Sequence, residues 1–331
     1  MGFIEDLRDD LEMRSKELDE PDEHLIDLSK EYDELTFAIR IGRVGAISLG
    51  DIQAIKAKAK QGKTYLVSVF AAAILSGACV GVESDLRDAK VMFFDTEQNP
   101  RNTARVARRV HAMCGWDIKR NNDRFRAYSL RDMDTTERLG YIKGEIERER
   151  PNVIFIDGIR DLLIDFNDQL ESTNLIQEMM TMSKDYNMAI VNILHTNKGK
   201  DDNNMRGHLG TELVNKSSDV FSVTRTKDGV FNVEQTDSRN MPVDDFAFTL
   251  DDDGVPVKAD VNKVNSVIEK TASYLREILA DGRAMTRAEL AEKFQENSGQ
   301  GRASAFSKIK QALDGGLLMI GKVDGLIRIK P

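Results

Sequence analysis

Apolar runs alternate with stretches of helical length through the middle of the chain. Val153–Asp157 and Ala189–Leu194 are nearly unbroken apolar runs, as expected of strands that are covered on both faces. The alternation predicts an α/β fold with a mostly parallel sheet flanked by helices. The predicted strands are Gly45–Ile55, Lys90–Asp95, Val153–Asp157, Ala189–His195 and Val220–Arg225, with a final hairpin from Val230 to Leu250; the predicted helices are Asn102–Cys114, Thr135–Arg150 and Ser172–Tyr186.

The C-terminal residues follow a different pattern. Three short helical patterns, Ser266–Ala280, Thr286–Gln295 and Arg302–Gly315, precede a hairpin pattern turned by Asp324-Gly325, a dipeptide that favours tight hairpins. Three helices followed by a β-ribbon are typical of a small winged-helix domain. The predicted organisation is an N-terminal arm over residues 1–37, an α/β domain over 38–253, a linker over 254–264 and the winged-helix domain over 265–331.

The arm has an amphipathic pattern of its own. Phe3, Leu7 and Leu11 follow a helical spacing, and Pro21 ends the pattern. Two interpretations stay open: a solvated helix that lies on the body of the protein, or an arm that packs on a neighbouring subunit.

Charge is distributed unevenly along the 331 residues. The formal net charge is −9, of which residues 1–37 contribute −10 and residues 265–331 contribute +3. An acidic total argues against nonspecific coating of nucleic acid but is compatible with a local DNA-facing patch. The chain has two cysteines and no secretory signal pattern, so we expect a soluble protein of the reducing cytoplasm.

The strongest chemical signal is Gln61-Gly62-Lys63-Thr64, between a predicted strand and an apolar stretch. A phosphate loop reads G-x-x-x-x-G-K-[ST]: its amides and lysine bind phosphates, and the hydroxyl binds Mg²⁺. Ala57 stands where the first glycine belongs. Tyr65–Val82 has no charged residue and could be mistaken for a membrane span; its Ala, Ser and Gly content and its position after this loop favour a buried helix.

Three further polar residues follow predicted strands. Asp157 ends one strand, Glu97 follows the end of another, and His195 ends a third. The carboxyl ends of parallel strands meet at one edge of a sheet. There an aspartate can orient the hydration shell of Mg²⁺, a glutamate can polarise water, and a histidine can sense a phosphate. A purely structural alternative exists for each residue. Asp157 could form a turn, Glu97 could lie in a solvated acidic turn, and His195 could be a hydrogen-bonded residue at a strand end.

Together these residues resemble the RecA/DnaB-like ATPases, and most closely the RepA-like hexameric helicases of plasmids and mobile elements. The resemblance covers residues 38–250 and implies a RecA-like fold with ATP and Mg²⁺ as cofactors. It assigns nucleotide binding to the loop, Mg²⁺ ligation to Thr64 and Asp157, water positioning to Glu97 and nucleotide sensing to His195. The expected nucleotide-binding residues are Lys60, Gln61, Gly62, Lys63, Thr64 and Tyr65.

The same resemblance implies DNA in the channel of a homo-oligomeric ring. Lys198–Asn204, followed by Arg206, is similar to the mobile loop that faces the channel. Arg239-Asn240-Met241-Pro242 is similar to the region whose arginine reaches a neighbour's nucleotide, although Asp237 replaces the lysine common in that motif. The resemblance therefore makes Lys198 and Arg206 DNA-binding candidates and Arg239 a catalytic one.

The predicted winged helix adds weaker candidates. Arg302, Lys308 and Lys310 lie on its third helix, where a winged helix enters a major groove, and Lys322 lies at the wing. A protein-binding winged helix with ordinary surface lysines is the alternative.

The sequence thus predicts an ATP-dependent DNA-handling motor, helicase-like, for the replication or mobilisation of a genetic element. Two other classes stay open: an ATP-switched DNA-binding regulator or loader that does not translocate, and a non-catalytic partner-binding protein whose phosphate loop has decayed.

Overall fold

A computed structural model of the chain describes residues 25–196, 205, 207–259, 271–298, 302–314, 316–321 and 324–330. The predicted N-terminal helix, the loop residues 198–204 and 206, and Lys322 lie outside these ranges. Residues 25–36 belong to a separate N-terminal unit and themselves form no regular helix or strand, and the second unit begins at Phe37.

Within the described residues, the second unit is built on a nine-stranded sheet. Its strands are β3 (Ile52–Ala57), β6 (Val91–Asp95), β7 (Phe125–Ser129), β8 (Val153–Asp157), β9 (Ala189–His195), β10 (Asp219–Arg225), β11 (Phe231–Ser238), β12 (Phe246–Leu250) and β13 (Pro256–Lys258). The order is β13-β12-β11-β10-β3-β9-β8-β6-β7. The pairs from β10 to β7 are parallel, and those from β10 to β13 are antiparallel. The mostly parallel α/β fold is confirmed.

Helices cover both faces of this sheet. They are α1 (Lys63–Ser76), α2 (Pro100–Met113), α3 (Thr135–Glu149), α4 (Gln169–Asp185) and α5 (Gly207–Lys216). Side chains of β8 alternate between two cores: Val153 and Phe155 pack with α1 and α2, while Ile154 and Ile156 pack with α3, α4 and α5. Burial on both faces explains why this strand is continuously apolar.

Strand boundaries near the start of the sheet differ from the prediction. Gly45–Ile55 is not one strand, because Gly50 turns the chain with a φ of 79°. The residues before the turn form β2 (Val44–Ser48), which pairs with β1 (Phe37–Ile41) in a separate small sheet. Part of the predicted linker, residues 254–264, also forms a strand. This strand is β13, which pairs with β12.

The apolar stretch after the phosphate loop is a buried helix only as far as Ser76. Gly77 has a φ of 89° and ends α1, and the chain continues into the short hairpin of β4 (Ala78–Cys79) and β5 (Val82–Glu83). Among the described residues, none of the helices has the length and apolar character needed to cross a membrane.

The C-terminal residues have their own core. A helix over residues 271–278 (α6), α7 (Arg287–Ser298) and α8 (Arg302–Asp314) precede a hairpin of β14 (Leu318–Ile320) and β15 (Ile327–Ile329). Met285 forms an isolated bridge with Ile327. Leu275, Phe294 and Ile309 are among the buried residues that hold these elements together.

Candidate nucleotide-binding site

Five strand ends define one edge of the sheet. The phosphate-loop residues 58–62 follow β3, Glu97 follows β6, and Asp157, His195 and Arg225 are the last residues of β8, β9 and β10. These strands are parallel neighbours, so their carboxyl ends meet at the same edge. A cleft of about 630 Å³ opens there. Of the sequence-predicted site residues, Lys60, Gly62, Lys63, Thr64, Tyr65, Glu97, Asp157 and His195 line it.

The phosphate loop does not require a glycine at its first position. Ala57 is the last residue of β3, pairs with His195 and accepts a hydrogen bond from the Thr196 amide at 3.1 Å. Positive φ angles occur later, at Lys60 (64°) and Gly62 (105°). Because Ala57 is a strand residue, the alanine is compatible with the backbone of the loop.

The positive φ angle of Gly62 and the adjacent Phe231 ring both require a glycine at this position. A β-carbon at this position would lie 2.3 Å from a ring carbon of Phe231. The loop therefore packs directly against β11, and α1 begins at Lys63, immediately after the glycine. Amides at a helix N-terminus with this geometry favour bound anions such as phosphate.

Thr64 and Asp157 fit a magnesium ion that is also bound by nucleotide phosphates. The Thr64 hydroxyl donates to Asp157 Oδ2 at 3.1 Å. Burial raises the pKa of Asp157 to about 7, the nearby Glu97 adds to this, and Lys63 opposes it. No cluster of three or more His, Cys, Asp or Glu ligands occurs among the described residues. One carboxylate and one hydroxyl, completed by phosphate and water, is a ligand set that Mg²⁺ commonly uses.

His195 connects Lys63 to Glu97. Lys63 Nζ lies 2.8 Å from His195 Nδ1, and His195 Nε2 lies 3.3 Å from Glu97 Oε2. A neutral imidazole with its proton on Nε2 satisfies both contacts. The hydrogen bond from His195 lowers the pKa of Glu97, while burial lowers the pKa of Lys63.

Two residues that the sequence analysis did not single out position Glu97. The buried Asp95 carboxylate accepts from the Glu97 and Gln98 amides at 3.1 and 2.8 Å. Thr96 Oγ1 donates to the backbone carbonyls of Asp157 and Gly158, each at 3.0 Å. These bonds fix the turn after β6 to the end of β8. Sequence gives a weak signal for them, since Asp95 is a carboxylate at the end of an apolar strand.

Helix α2 supplies a wall of the cleft that the sequence analysis missed. Asn102, Arg105, Val106 and Arg109 line the cleft, and their helical spacing on the helix after Glu97 is the signal that could have found them. Arg109 donates to the Thr64 carbonyl and the Ser68 hydroxyl, and its guanidinium carbon lies 4.0 Å from the Tyr65 ring centroid. Arg109 therefore supports the first turn of α1.

Two predicted nucleotide-site residues are placed differently. Gln61 does not line the cleft with the other described residues; its side chain accepts from the Arg225 amide at 2.6 Å. Arg239 lies outside the cleft of its own chain and donates to the carbonyls of Asn215 and Lys216 at the end of α5, at 3.0 and 3.3 Å. The Asp237 carboxylate lies 3.6 Å from Lys56 Nζ.

The DNA-binding candidates are described only in part. Lys310 is exposed and Lys308 is half-buried, and both lie on α8. For Arg302 the structure describes the backbone at the start of α8. Lys198, Arg206 and Lys322 lie outside the described residues.

Comparison with known proteins gave one family match. Residues 40–201 match a family described as an AAA domain, and this match supports a P-loop ATPase that binds nucleotide and typically Mg²⁺. A comparison with curated proteins found no match. Similar solved structures include the RadB recombinase, with 15% identity, 65% of this chain and 94% of that chain covered and a TM-score of 0.48. They also include the ATPase domain of a second protein, with 12% identity, 63% of this chain and 85% of that chain covered and a TM-score of 0.48.

Proposed function

We propose that this chain is an ATP-driven DNA-handling motor. It is helicase-like, resembles the RepA-like hexameric helicases and acts in the replication or mobilisation of a genetic element. The observation that carries the proposal is the contact series Lys63–His195–Glu97, with its distances of 2.8 and 3.3 Å. It joins the phosphate-binding lysine to the candidate water-positioning residue, and His195 lies shortly before the segment 198–204 that resembles a DNA-contacting loop.

The reaction is transfer of the γ-phosphoryl group to water. The bond between the γ-phosphorus and the β–γ bridging oxygen breaks, a bond to the water oxygen forms, and Glu97 accepts the proton of that water. Lys63 binds the phosphate oxygens, and Thr64 and Asp157 hold Mg²⁺. When bound, Mg²⁺ neutralises charge on the β- and γ-phosphate oxygens.

Nucleotide binding changes the contacts of His195. A bound triphosphate competes with His195 for the Lys63 ammonium, and the single N–H of the neutral imidazole then donates to the phosphate in place of Glu97. Loss of the γ-phosphate reverses this exchange. Because His195 precedes residues 198–204 in the chain, the exchange gives a route from nucleotide state to that segment.

DNA is the proposed partner, through a ring channel lined by residues 198–204 and Arg206 and through the C-terminal domain. The order of helices, bridge and hairpin in residues 271–330 is typical of a winged helix. In this proposal Arg302, Lys308, Lys310 and Lys322 contact duplex phosphates.

One assay separates the candidate functions. ATP hydrolysis is measured with and without single-stranded DNA for the parent chain, for Lys63→Ala, and for Lys58→Ala as a matched control in the same loop. We expect DNA-stimulated hydrolysis in the parent and the control, and none in Lys63→Ala, because Lys63 is the basic residue placed at the start of α1.

Other results of this assay would identify one of the alternative functions. Slow hydrolysis that DNA does not change identifies a switch or loader. A parent chain with neither hydrolysis nor nucleotide binding identifies a non-catalytic protein. Hydrolysis by Lys63→Ala at the parental rate contradicts the phosphate-loop assignment.

A further inference from the structure

Arg225 lies in the nucleotide cleft of its own chain. It is the last residue of β10, the strand next to β3, and it lines the cleft together with Lys60 and Gly62. The chain turns back immediately after it, through hydrogen bonds between Thr226 and Val230, and Arg225 pairs with Phe231 across the hairpin. Its backbone is thus fixed at the end of a two-stranded ladder.

The hairpin that carries Arg225 is attached to the phosphate loop at two points. The Arg225 amide donates to Gln61 Oε1 at 2.6 Å. The Phe231 ring fills the space beside Gly62, where a β-carbon would lie 2.3 Å from it. Phe231 is itself fixed, since its ring stacks on Phe248 with centroids 4.9 Å apart. The position of Arg225 relative to the loop is therefore constrained.

The basic residues of the cleft differ in their contacts. Five basic side chains line it, against the carboxylates of Glu97 and Asp157, so the cleft favours a polyanion. Lys63 contacts His195, and Arg109 contacts α1. The Arg225 side chain is exposed, and its guanidinium carbon lies 5.2 Å from the Phe231 ring centroid. This cation–π contact leaves the guanidinium N–H groups able to donate.

We infer that Arg225 binds the phosphates of the nucleotide held in the cleft of its own chain, and that Gln61 and Phe231 position it for this contact. The inference rests on the proposed function, because it assumes that the cleft binds a nucleotide. A guanidinium donates to phosphate oxygens in a planar, charge-assisted geometry. Arg225 thereby adds to the phosphate site from β10, three strands away from β8 and four from β6, the strand that α2 follows.

The test measures binding of ADP, inorganic tripolyphosphate and adenosine by calorimetry. Arg225→Ala is compared with the parent, with Arg225→Lys and with Lys227→Ala, an exposed residue in the adjacent turn. We expect Arg225→Ala to weaken ADP and tripolyphosphate by about 10- to 100-fold, the range for hydrogen bonds to charged groups. Adenosine binding should be unchanged, Arg225→Lys should restore part of the loss, and Lys227→Ala should bind like the parent.

Gln61→Ala tests the positioning. It removes the acceptor of the Arg225 amide and should reproduce part of the loss for tripolyphosphate. If Gln61 acts through Arg225, the double variant should bind little more weakly than Arg225→Ala alone. Losses that multiply would show that Gln61 does not position Arg225.

The outcomes separate this inference from the proposed function. Parental affinity for tripolyphosphate in a folded Arg225→Ala chain, with weakened affinity in Lys63→Ala, overturns the inference alone. An equal loss of adenosine affinity also overturns it, since the guanidinium would then contact the base or ribose. A parent chain that binds neither ADP nor tripolyphosphate overturns the proposed function together with the inference.

Discussion

At the scale of single residues, the surroundings in the cleft shift the pKa values of its ionisable groups in different directions. Burial raises the pKa of Asp157 to about 7, whereas the hydrogen bond from His195 lowers the pKa of Glu97. Glu97 is consequently ionised in the resting cleft and can accept a proton. Asp157 is ionised most favourably when a cation lies beside it.

Glu97→Gln should retain nucleotide and hydrolyse it about 10²- to 10⁴-fold more slowly, the usual contribution of a general base. The amide oxygen can still accept from His195 Nε2, so the contacts of the resting cleft persist. Single-turnover hydrolysis and nucleotide affinity are measured side by side, with Gln98→Ala as the neighbouring control. Loss of nucleotide affinity in Glu97→Gln would show that the carboxylate is needed for binding rather than for water.

A buried carboxylate at the opposite edge of the sheet makes stability depend on pH. Asp219 accepts from Gln235 and Ser238 at 2.7 and 3.0 Å, and among the described residues its Oδ2 has no hydrogen-bond partner. Burial raises the pKa of Asp219 from 3.8 to about 7. Between these two values the folded chain binds a proton that the unfolded chain releases, so this group lowers the free energy of unfolding as pH rises.

Asp219→Asn should therefore gain stability relative to the parent as pH rises from about 4 to about 7, on the order of 2–4 kcal/mol. Denaturant unfolding at pH 5 and pH 8 measures the change, with Asp228→Asn on an exposed turn as the control. The stability difference between variant and parent should be larger at pH 8. The same difference at both pH values would contradict a raised pKa.

At the scale of secondary-structure elements, the sequence correctly predicted the strands that are apolar along their whole length. The strands of the sheet centre were predicted because burial on both faces makes them apolar throughout, and Asp157 and His195 were found because they end such strands. β7 was missed because it is a short edge strand with mixed polarity. The turn at Gly50 was missed because apolar residues continue on both sides of it.

Contacts between distant elements explain the rest of what was missed. Arg109 supports α1 from α2, and Arg225 approaches the phosphate loop from β10, 164 positions from its partner Gln61. Neither pairing leaves a local pattern, because each depends on which strands become neighbours. Arg239 is the converse case: its motif is visible in sequence, but the side chain donates to the end of α5.

At the scale of the whole molecule, the sheet and the C-terminal residues have separate cores. The buried clusters around the sheet and the cluster that contains Leu275, Phe294 and Ile309 share no described residue. The described residues of the range 265–331 therefore take no part in burying the apolar faces of the sheet.

Deletion of residues 265–331 should leave a folded chain that binds nucleotide with parental affinity. If the C-terminal domain contacts duplex DNA, the deletion should also weaken duplex binding, most strongly at low salt, because phosphate contacts depend on salt. Circular dichroism, nucleotide titration and a DNA-binding salt series measure these effects, with Lys308→Ala/Lys310→Ala in the full chain as the matched variant. Unchanged duplex affinity at every salt concentration would assign this domain to protein contacts.

Assembly is the property on which the motor proposal depends most. Arg239 lies outside its own cleft, so a direct contact with the reacting phosphate requires a second copy of the chain. An arginine supplied by a neighbour can contribute about 10³- to 10⁵-fold in rate. In the resting chain its guanidinium donates to the α5 carbonyls of Asn215 and Lys216, contacts that it would exchange for a neighbour's γ-phosphate. Hydrolysis should then rise steeply with protein concentration, because an isolated chain would lack the arginine that a neighbour supplies.

Mixing Arg239→Ala chains with Lys63→Ala chains tests this arrangement. Each variant should be inactive alone, but a mixed assembly contains sites where an intact Lys63 faces an intact Arg239, so hydrolysis should reappear above the sum of the two. Lys216→Ala, at the end of α5, is the control and should keep parental hydrolysis. If Arg239→Ala alone keeps parental hydrolysis, Arg239 has no catalytic role. If the mixture assembles and stays inactive, Arg239 acts within its own chain by holding the end of α5, which Arg239→Lys would then partly restore.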